Sequence, residues 1–297
     1  MNPSLLKPHY WPLWLIIGLF WSVTRLPYRW QLALGRQLGR LGYHLASRRR
    51  HIAAINLKLC FPELNQQSLL KQHFESLGMG LFEMLSAWWQ SAAFFQPLWQ
   101  IQGVEHLHSA LARGKGVILF SAHFNALEVG GRFATLQTPI HAIYRPHEHP
   151  LIEYFFKHSR EQHAEQAIRR DNGRAMLRSL KRNKTLWLAV DQNYGHKNSV
   201  FADFLGIPAA TNTAFSRLAQ LSGAAVIPFV TQRLDHYRGG YQITFHPPLV
   251  DFPSGDDLAD ATRLNQFIEQ QVRQAPEQYL WVHRRFKDRP VGEERFY

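Results

Sequence analysis

The run GVILFSAHFNALEVGG holds the pair of side chains best suited to chemistry, His123 and, five positions on, Glu128. An imidazole takes a proton from an alcohol near neutral pH, and a carboxylate bonded to its second nitrogen fixes which nitrogen is free to do so. A hydroxyl activated in this way attacks a thioester without a covalent enzyme intermediate, and amides at a helix N-terminus can steady the oxyanion. Inside one helix the two residues would stand about 140° apart and share no face. The pair therefore requires His123 on a loop or first turn, after an apolar strand and before the helix that carries Glu128. In a chain with 16 histidines an H-x4-E spacing is weak by itself. The strand, the small residues and the paired glycines around it give it weight.

These residues must be positioned by an α/β core. After Val104 the chain alternates short apolar runs (GVILFSAH, IHAIYRP, TLWLAVDQ, AAVIPFVTQ) with helical stretches, the pattern of a central sheet covered on both faces. A Pro- and Gly-marked loop, HPPLVDFPSGDD, precedes a last helix near ATRLNQFIEQQVRQ. Residues 51–100 read as helical, with HIAAINLKLCF stopping at Pro62 and Asn65 capping the next helix. This half brings no phosphate loop and no metal motif, and no cofactor is expected.

The N-terminus is of another kind. Leu13 to Thr24 carries no charge, follows Tyr10, Trp11 and Pro12, and precedes Arg25 and Arg29. Even generously bounded, the stretch is about 15 residues where about 20 are needed to cross a hydrocarbon core, so it spans thinly or lies in one leaflet. No small-x-small cleavage site follows, which favours an uncleaved anchor over a signal peptide. The Arg-rich segment behind it places the bulk of the protein on the cytoplasmic side. Leu32, Leu34, Leu38, Leu41 and Leu45 recur there at helical spacing among arginines, as in an interfacial helix or an ordinary surface helix. The expected organisation is an anchor over residues 1–30 and one catalytic unit over 31–297, largely helical to residue 100 and α/β from 101 onward.

At 297 residues and 45% hydrophobic content the chain can bury one sizeable core. Its formal charge of +12 selects anionic partners, and the interleaved Trp and Phe suit a membrane surface better than nucleic acid, for which no motif is present. The single cysteine, Cys60, sits in an apolar run as a small buried hydrophobe.

The runs NLKLCFPE, SAHFNALE, YRPHEHPLIE, DQNYG, VFADFLG with PAAT, and QYLWVHRRFKDRP occur in order from about residue 50 to residue 290. In these the chain resembles the lipid A biosynthesis acyltransferases of the lysophospholipid acyltransferase superfamily. The resemblance implies a mixed central sheet flanked by helices, like the glycerolipid acyltransferases, and a short membrane-associated N-terminal helix at the bacterial inner membrane, with the site on the cytoplasmic side. It implies acyl carrier protein as thioester donor and a phosphorylated glucosamine disaccharide lipid as acceptor. His123 matches the catalytic base and Glu128 its acidic partner, while Arg145, Arg170 and Asp191 fall at motif positions near the site. Guanidinium forks at Arg145 and Arg170 suit phosphate or a sugar-acid carboxylate, or else a structural ion pair. Asp191, at a strand end, would order a neighbouring arginine. Gln192 and Asn193 stand where His or Asp are common in the family, which leaves them without an assigned role.

Two further clusters need a reading. His147, Glu148 and His149 alternate on an extended, proline-flanked loop with no further ligands in register, which argues against a metal. Trp281, His283, Arg284, Arg285 and Lys287 form a basic aromatic cluster that meets a phosphorylated headgroup, the anionic leaflet or the acidic carrier, or is simply solvated. The competing functions are the same chemistry on a glycerolipid, ornithine-type lipid or aryl polyene lipid, and a non-catalytic basic protein of the membrane surface.

Overall fold

The computed structural model describes residues 3–193, 195–196, 198–234 and 240–297. Among the described residues, two short 3-10 turns lead into five α-helices: α1 (Trp11–Val23), α2 (Tyr28–Leu45), α3 (Ser47–Cys60), α4 (Gln66–Trp89) and the short α5 (Ala92–Phe95). Strands and helices then alternate as β1 (Trp99–Gln102), α6 (Val104–Ala112), β2 (Val117–Ser121), α7 (Leu127–Gln137), β3 (Ile140–Tyr144), α8 (Pro150–Glu161), β4 (Gln166–Arg169), α9 (Gly173–Lys181) and β5 (Thr185–Ala189). A hairpin of β6 (Ser199–Phe204) and β7 (Ile207–Asn212) leads to α10 (Ala214–Ser222), β8 (Ala225–Arg233), β9 (Tyr241–Phe245) and α11 (Asp257–Gln274).

The main sheet runs β1-β9-β8-β2-β5-β3-β4, parallel throughout except for the antiparallel β8–β9 pair. This is the expected α/β architecture with a mixed central sheet flanked by helices. Every residue of β2 is buried, which is why its sequence is a continuous apolar run and not an alternation. The paired glycines after Glu128 let α7 lie directly on the sheet. A Cβ on Gly130 would stand 1.8 Å from Thr231 Oγ1, and one on Gly131 would stand 2.2 Å from the Trp187 ring. The start of α7, with Glu128, is thereby held close to the strand ends.

Helix α4 is the spine of the N-terminal half. Its predicted cap is formed, with Asn65 Oδ1 accepting from the Ser68 amide at 2.9 Å. Helix α2 crosses α4 at backbone contact, because a Cβ on Gly78 would meet the Gly35 carbonyl at 2.1 Å and one on Gly39 would meet that of Phe74 at 2.1 Å. Behind this crossing lies a buried polar knot. Arg233 forks onto Glu83 with both contacts at 2.5 Å, and the Tyr241 hydroxyl donates to Glu83 at 2.7 Å while sharing a hydrogen bond with that of Tyr28. Arg233 also reaches Ser76 Oγ at 3.0 Å, which accepts from Asn125 in the loop after β2 at 2.9 Å.

The N-terminal helix is as short as its apolar stretch indicated. Helix α1 has 13 residues, about 20 Å at 1.5 Å per residue, and among the described residues no helix is long and apolar enough to cross a membrane. What the structure offers instead is an apolar surface: Leu15, Leu19 and Trp21 of α1 and Leu34, Leu38, Leu41 and Leu45 of α2 are exposed. Leu32 departs from that stripe and is fully buried beside α4, since α2 uses a second face, with Gly35 and Gly39, for packing. Cys60 is buried as expected, and desolvation pushes its thiol up.

Candidate active site

In a parallel sheet the strand ends on the carboxyl side open toward a ligand crevice. Four of the expected residues sit there in sheet order, since His123 follows β2, Asp191 follows β5, Arg145 follows β3 and Arg170 follows β4. The sheet order thus makes a row out of residues far apart in sequence.

His123 is on the loop, as the spacing demanded, with its side chain 28% exposed. Its carboxylate partner is not the expected one. His123 Nδ1 stands 2.6 Å from Asp191 Oδ1, and the His123 amide donates to Asp191 Oδ2 at 2.9 Å. Asp191 is buried, and the Tyr279 hydroxyl donates to it as well. Burial alone would raise the Asp191 carboxyl, but the His123 charge and the hydrogen bonds from His123 and Tyr279 outweigh it and hold the carboxyl well below the usual range. An ionised carboxylate only accepts, so Nδ1 carries a ring proton and Nε2 is the nitrogen turned outward. Asp191 orders an imidazole where the sequence reading had it order an arginine.

Glu128 faces elsewhere. Its Oε1 accepts from Arg160 Nη2 at 2.5 Å and Nε at 3.1 Å, and its Oε2 from Trp88 Nε1 at 3.0 Å. The expected bond from Glu128 to the imidazole is replaced by this clamp, which ties α7 to α8 and α4. Arg160, Glu128 and Trp88 line a small cavity of about 20 Å³ floored by Gly131, Ala142 and Trp187, room for a water and not for an acyl chain. Neither Arg160 nor Trp88 was singled out in the sequence. Arg160 is one basic residue among 34 on an amphipathic helix, and no spacing signal marks it.

Three amides of the loop and first turn of α7 are spent internally. Phe124 N donates to Ala122 O at 2.8 Å, Asn125 N to Gln278 O at 2.8 Å and Leu127 N to Phe124 O at 3.0 Å. The C-terminal segment closes the loop from below, where Leu280 N donates to His123 O at 3.0 Å and Phe124 bridges Tyr279.

Gln192 and Asn193 also acquire places. Gln192 Nε2 lies 3.2 Å from His123 Nε2. Asn193 is pinned by its amide to His283 Nε2 at 3.1 Å and by its side chain to Asp288 Oδ2 at 2.5 Å. Desolvation lowers the His283 imidazole to about 4, keeping it the neutral acceptor that this bond needs.

Of the basic residues, Arg145 is exposed and, among the described residues, has no ion-pair partner. Arg170 is exposed too, its amide bonded to Tyr144 O at 2.8 Å, so the two strand ends adjoin. Arg284 stacks over the Tyr297 ring at 5.7 Å. Arg285 is a correction. At 1% exposure it is buried under the β6–β7 hairpin, donating to Ala210 O at 2.8 Å and Thr211 Oγ1 at 2.9 Å, a structural post and not a headgroup contact. Trp281 is buried as well, so the surface of that cluster reduces to Arg284 and Lys287 with part of His283. His147 packs on Phe156, and no metal-holding group of His, Cys, Asp or Glu occurs among the described residues.

A partly exposed imidazole held at Nδ1 by Asp191 thus stands at the carboxyl ends of the parallel strands, with Arg145 and Arg170 following the neighbouring strands of the row. The profile of the bacterial lipid A biosynthesis acyltransferases matches residues 1–288. The chain is 38% identical to the lipid A biosynthesis lauroyltransferase of Escherichia coli K12 over 295 residues, 98% of this chain and 96% of that protein. It is 36% identical to the palmitoleoyltransferase of the same organism, over 99% and 97% of the two chains. To the myristoyltransferase it is 26% identical over 98% and 92%. The chain belongs to the bacterial lipid A biosynthesis acyltransferase family, and it is an acyltransferase.

Proposed function

We propose that this enzyme moves a fatty acyl group from an acyl carrier protein thioester to a hydroxyl of a partly acylated lipid A precursor, with His123 as the base. The observation that carries the reading is the 2.6 Å contact of Asp191 Oδ1 with His123 Nδ1, which favours a proton on Nδ1 and leaves Nε2 to act. The acceptor O–H gives its proton to Nε2 while its oxygen bonds to the thioester carbonyl carbon. The resulting oxyanion collapses, the C–S bond breaks, and the thiolate leaves with the proton carried by Nε2, giving ester and thiol. Glu128 acts in this scheme as a positioning residue, through the Arg160 guanidinium and not through the imidazole.

The family relationship and the basic row support the acceptor. Neighbouring strands are about 4.8 Å apart, so Arg145 and Arg170 lie roughly 10 to 15 Å along the sheet edge from His123. A large headgroup with phosphates distant from the reacting hydroxyl fits that row, with Arg145 and Arg170 as forks and Arg284 at its margin. The exposed leucines and tryptophan of α1 and α2 support an interfacial seat on the cytoplasmic face of the inner membrane.

The test is a mass measurement. Purified protein in detergent is incubated with a panel of acyl carrier protein thioesters and tetra-acylated precursor, beside His123→Ala. A gain of one acyl mass, absent from the variant, is expected, and the preferred thioester identifies the chain. No gain with any donor, or an equal gain in the variant, removes the assignment and turns attention to glycerolipid acceptors.

A further inference from the structure

The resting site contains a contradiction, since the lone pair that must take the proton is already occupied. With the ring proton on Nδ1, the only bond Gln192 can make to Nε2 at 3.2 Å is one donated by its carboxamide nitrogen. Two consecutive residues after β5 therefore hold the two ring nitrogens, Asp191 inside and Gln192 outside. This arrangement is rigid on both sides, because Asp191 is buried and Asn193 is fastened to His283 and Asp288. Among the described residues the Gln192 side chain makes no other hydrogen bond, so a substrate hydroxyl has one bond to displace.

An acceptor hydroxyl must come within about 2.6 to 3.2 Å of Nε2, which is the place the amide holds. Displaced by the width of one oxygen, the amide N–H then lies beside the attacking oxygen and the carbonyl it attacks. The transition state needs a donor there, and the backbone amides of His123, Phe124, Asn125 and Leu127 are all committed to internal acceptors. We infer that Gln192 is a catalytic residue whose amide N–H guards His123 Nε2 in the resting enzyme and, when the acceptor hydroxyl replaces it, donates to the oxygen on which negative charge grows. The inference rests on the reading of His123 as base. No atom is exchanged with Gln192, and the proton passes from acceptor hydroxyl to Nε2 to departing thiolate as above.

The experiment compares Gln192→Leu, which keeps the bulk without a donor, and Gln192→Glu, which keeps the shape but accepts, with wild type and His123→Ala. The readouts are kcat, acceptor KM and thermal midpoint, with a pH profile for Gln192→Glu. Removing an oxyanion donor costs on the order of 10² to 10³ in kcat, so Gln192→Leu is expected to fall by that factor with acceptor KM within about threefold. Gln192→Glu is expected to lose kcat similarly and to move the acid limb of its profile upward, because a carboxylate at Nε2 favours the imidazolium. The groups already facing the ring, Asp191, Tyr279 and His283, are the same in both proteins. Wild-type kcat in Gln192→Leu, or a raised kcat/KM, reduces Gln192 to a displaceable plug and overturns the inference. Should Gln192→Leu be unstable, an unshifted and fully active Gln192→Glu overturns it equally. Retained activity in His123→Ala overturns the base and this inference together, whereas its loss beside an unaffected Gln192→Leu overturns this inference alone.

Discussion

Asp191 holds the imidazole that the sequence pattern pairs with Glu128, while Glu128 holds Arg160. Asp191→Asn keeps the shape but offers an amide to Nδ1, stabilising the wrong tautomer, and kcat should fall by on the order of 10² to 10⁴ with little change in acceptor KM. Glu128→Gln loosens the Arg160 clamp without touching the imidazole, so steady-state kinetics on the same substrates should show a smaller loss of kcat than Asp191→Asn. Arg285→Ala should lower unfolding stability by roughly 2 to 4 kcal/mol, through lost packing and charge-assisted bonds, and leave acceptor KM alone in denaturation and kinetic assays. His123 and Glu128 were legible because one short stretch contains the strand end, the loop and the helix start. The His123–Asp191 bond was not, since it spans 68 positions and exists only because β5 lies beside β2. Arg284 and Arg285 are indistinguishable as letters. The hairpin that buries one and not the other is a tertiary fact.

The strands that could be read directly are those buried on both faces, β2, β3, β5 and β8, whose apolar runs stand out. Strands β1 and β4 escaped notice because WQIQ and QAIR are short and half polar, as edge positions allow. The β6–β7 hairpin turns at Leu205 and Gly206, both at positive φ, and Leu gives no turn signal. The N-terminal helices are legible as helices, but the sequence does not show that on α2 most of the leucine stripe serves the surface while the glycines serve the packing. Gly78→Val should therefore force α2 from α4 and lower the thermal midpoint by several degrees, since the added methyls meet backbone and not a flexible side chain. Leu34, Leu38 and Leu41 replaced together by Ser should leave the fold intact and weaken flotation with anionic vesicles at least about tenfold, each leucine being worth about 1.5 to 3 kcal/mol when buried in lipid. Unchanged flotation would place the membrane contact elsewhere.

The folded protein as a whole should be acid-sensitive. His73 is fully buried between α4 and the segment around Glu277, and desolvation lowers its imidazole to about 4. An unfolded chain protonates the same ring at about 6.5, so the unfolded state binds more protons as pH falls. The contribution is intact above pH 6.5 and is lost progressively down to about pH 4, a difference on the order of 3 kcal/mol for this residue. His283, lowered likewise, acts in the same direction over the same window. Denaturant titrations across that range should show the midpoint falling, and His73→Gln should flatten the dependence even if it lowers the plateau.

Gln278, Tyr279 and Leu280 brace the His123 loop from the far end of the chain, and the apolar surface of α1 and α2 lies at the near end. Synthesis proceeds at about 5 to 20 residues per second, so these two properties are acquired in a fixed order. The apolar surface of the first helices is therefore complete while the His123 loop still lacks the residues that brace it. A chain stalled before Gln278 would keep the exposed leucines of α1 and α2 and lack the bond from the Leu280 amide to the His123 carbonyl.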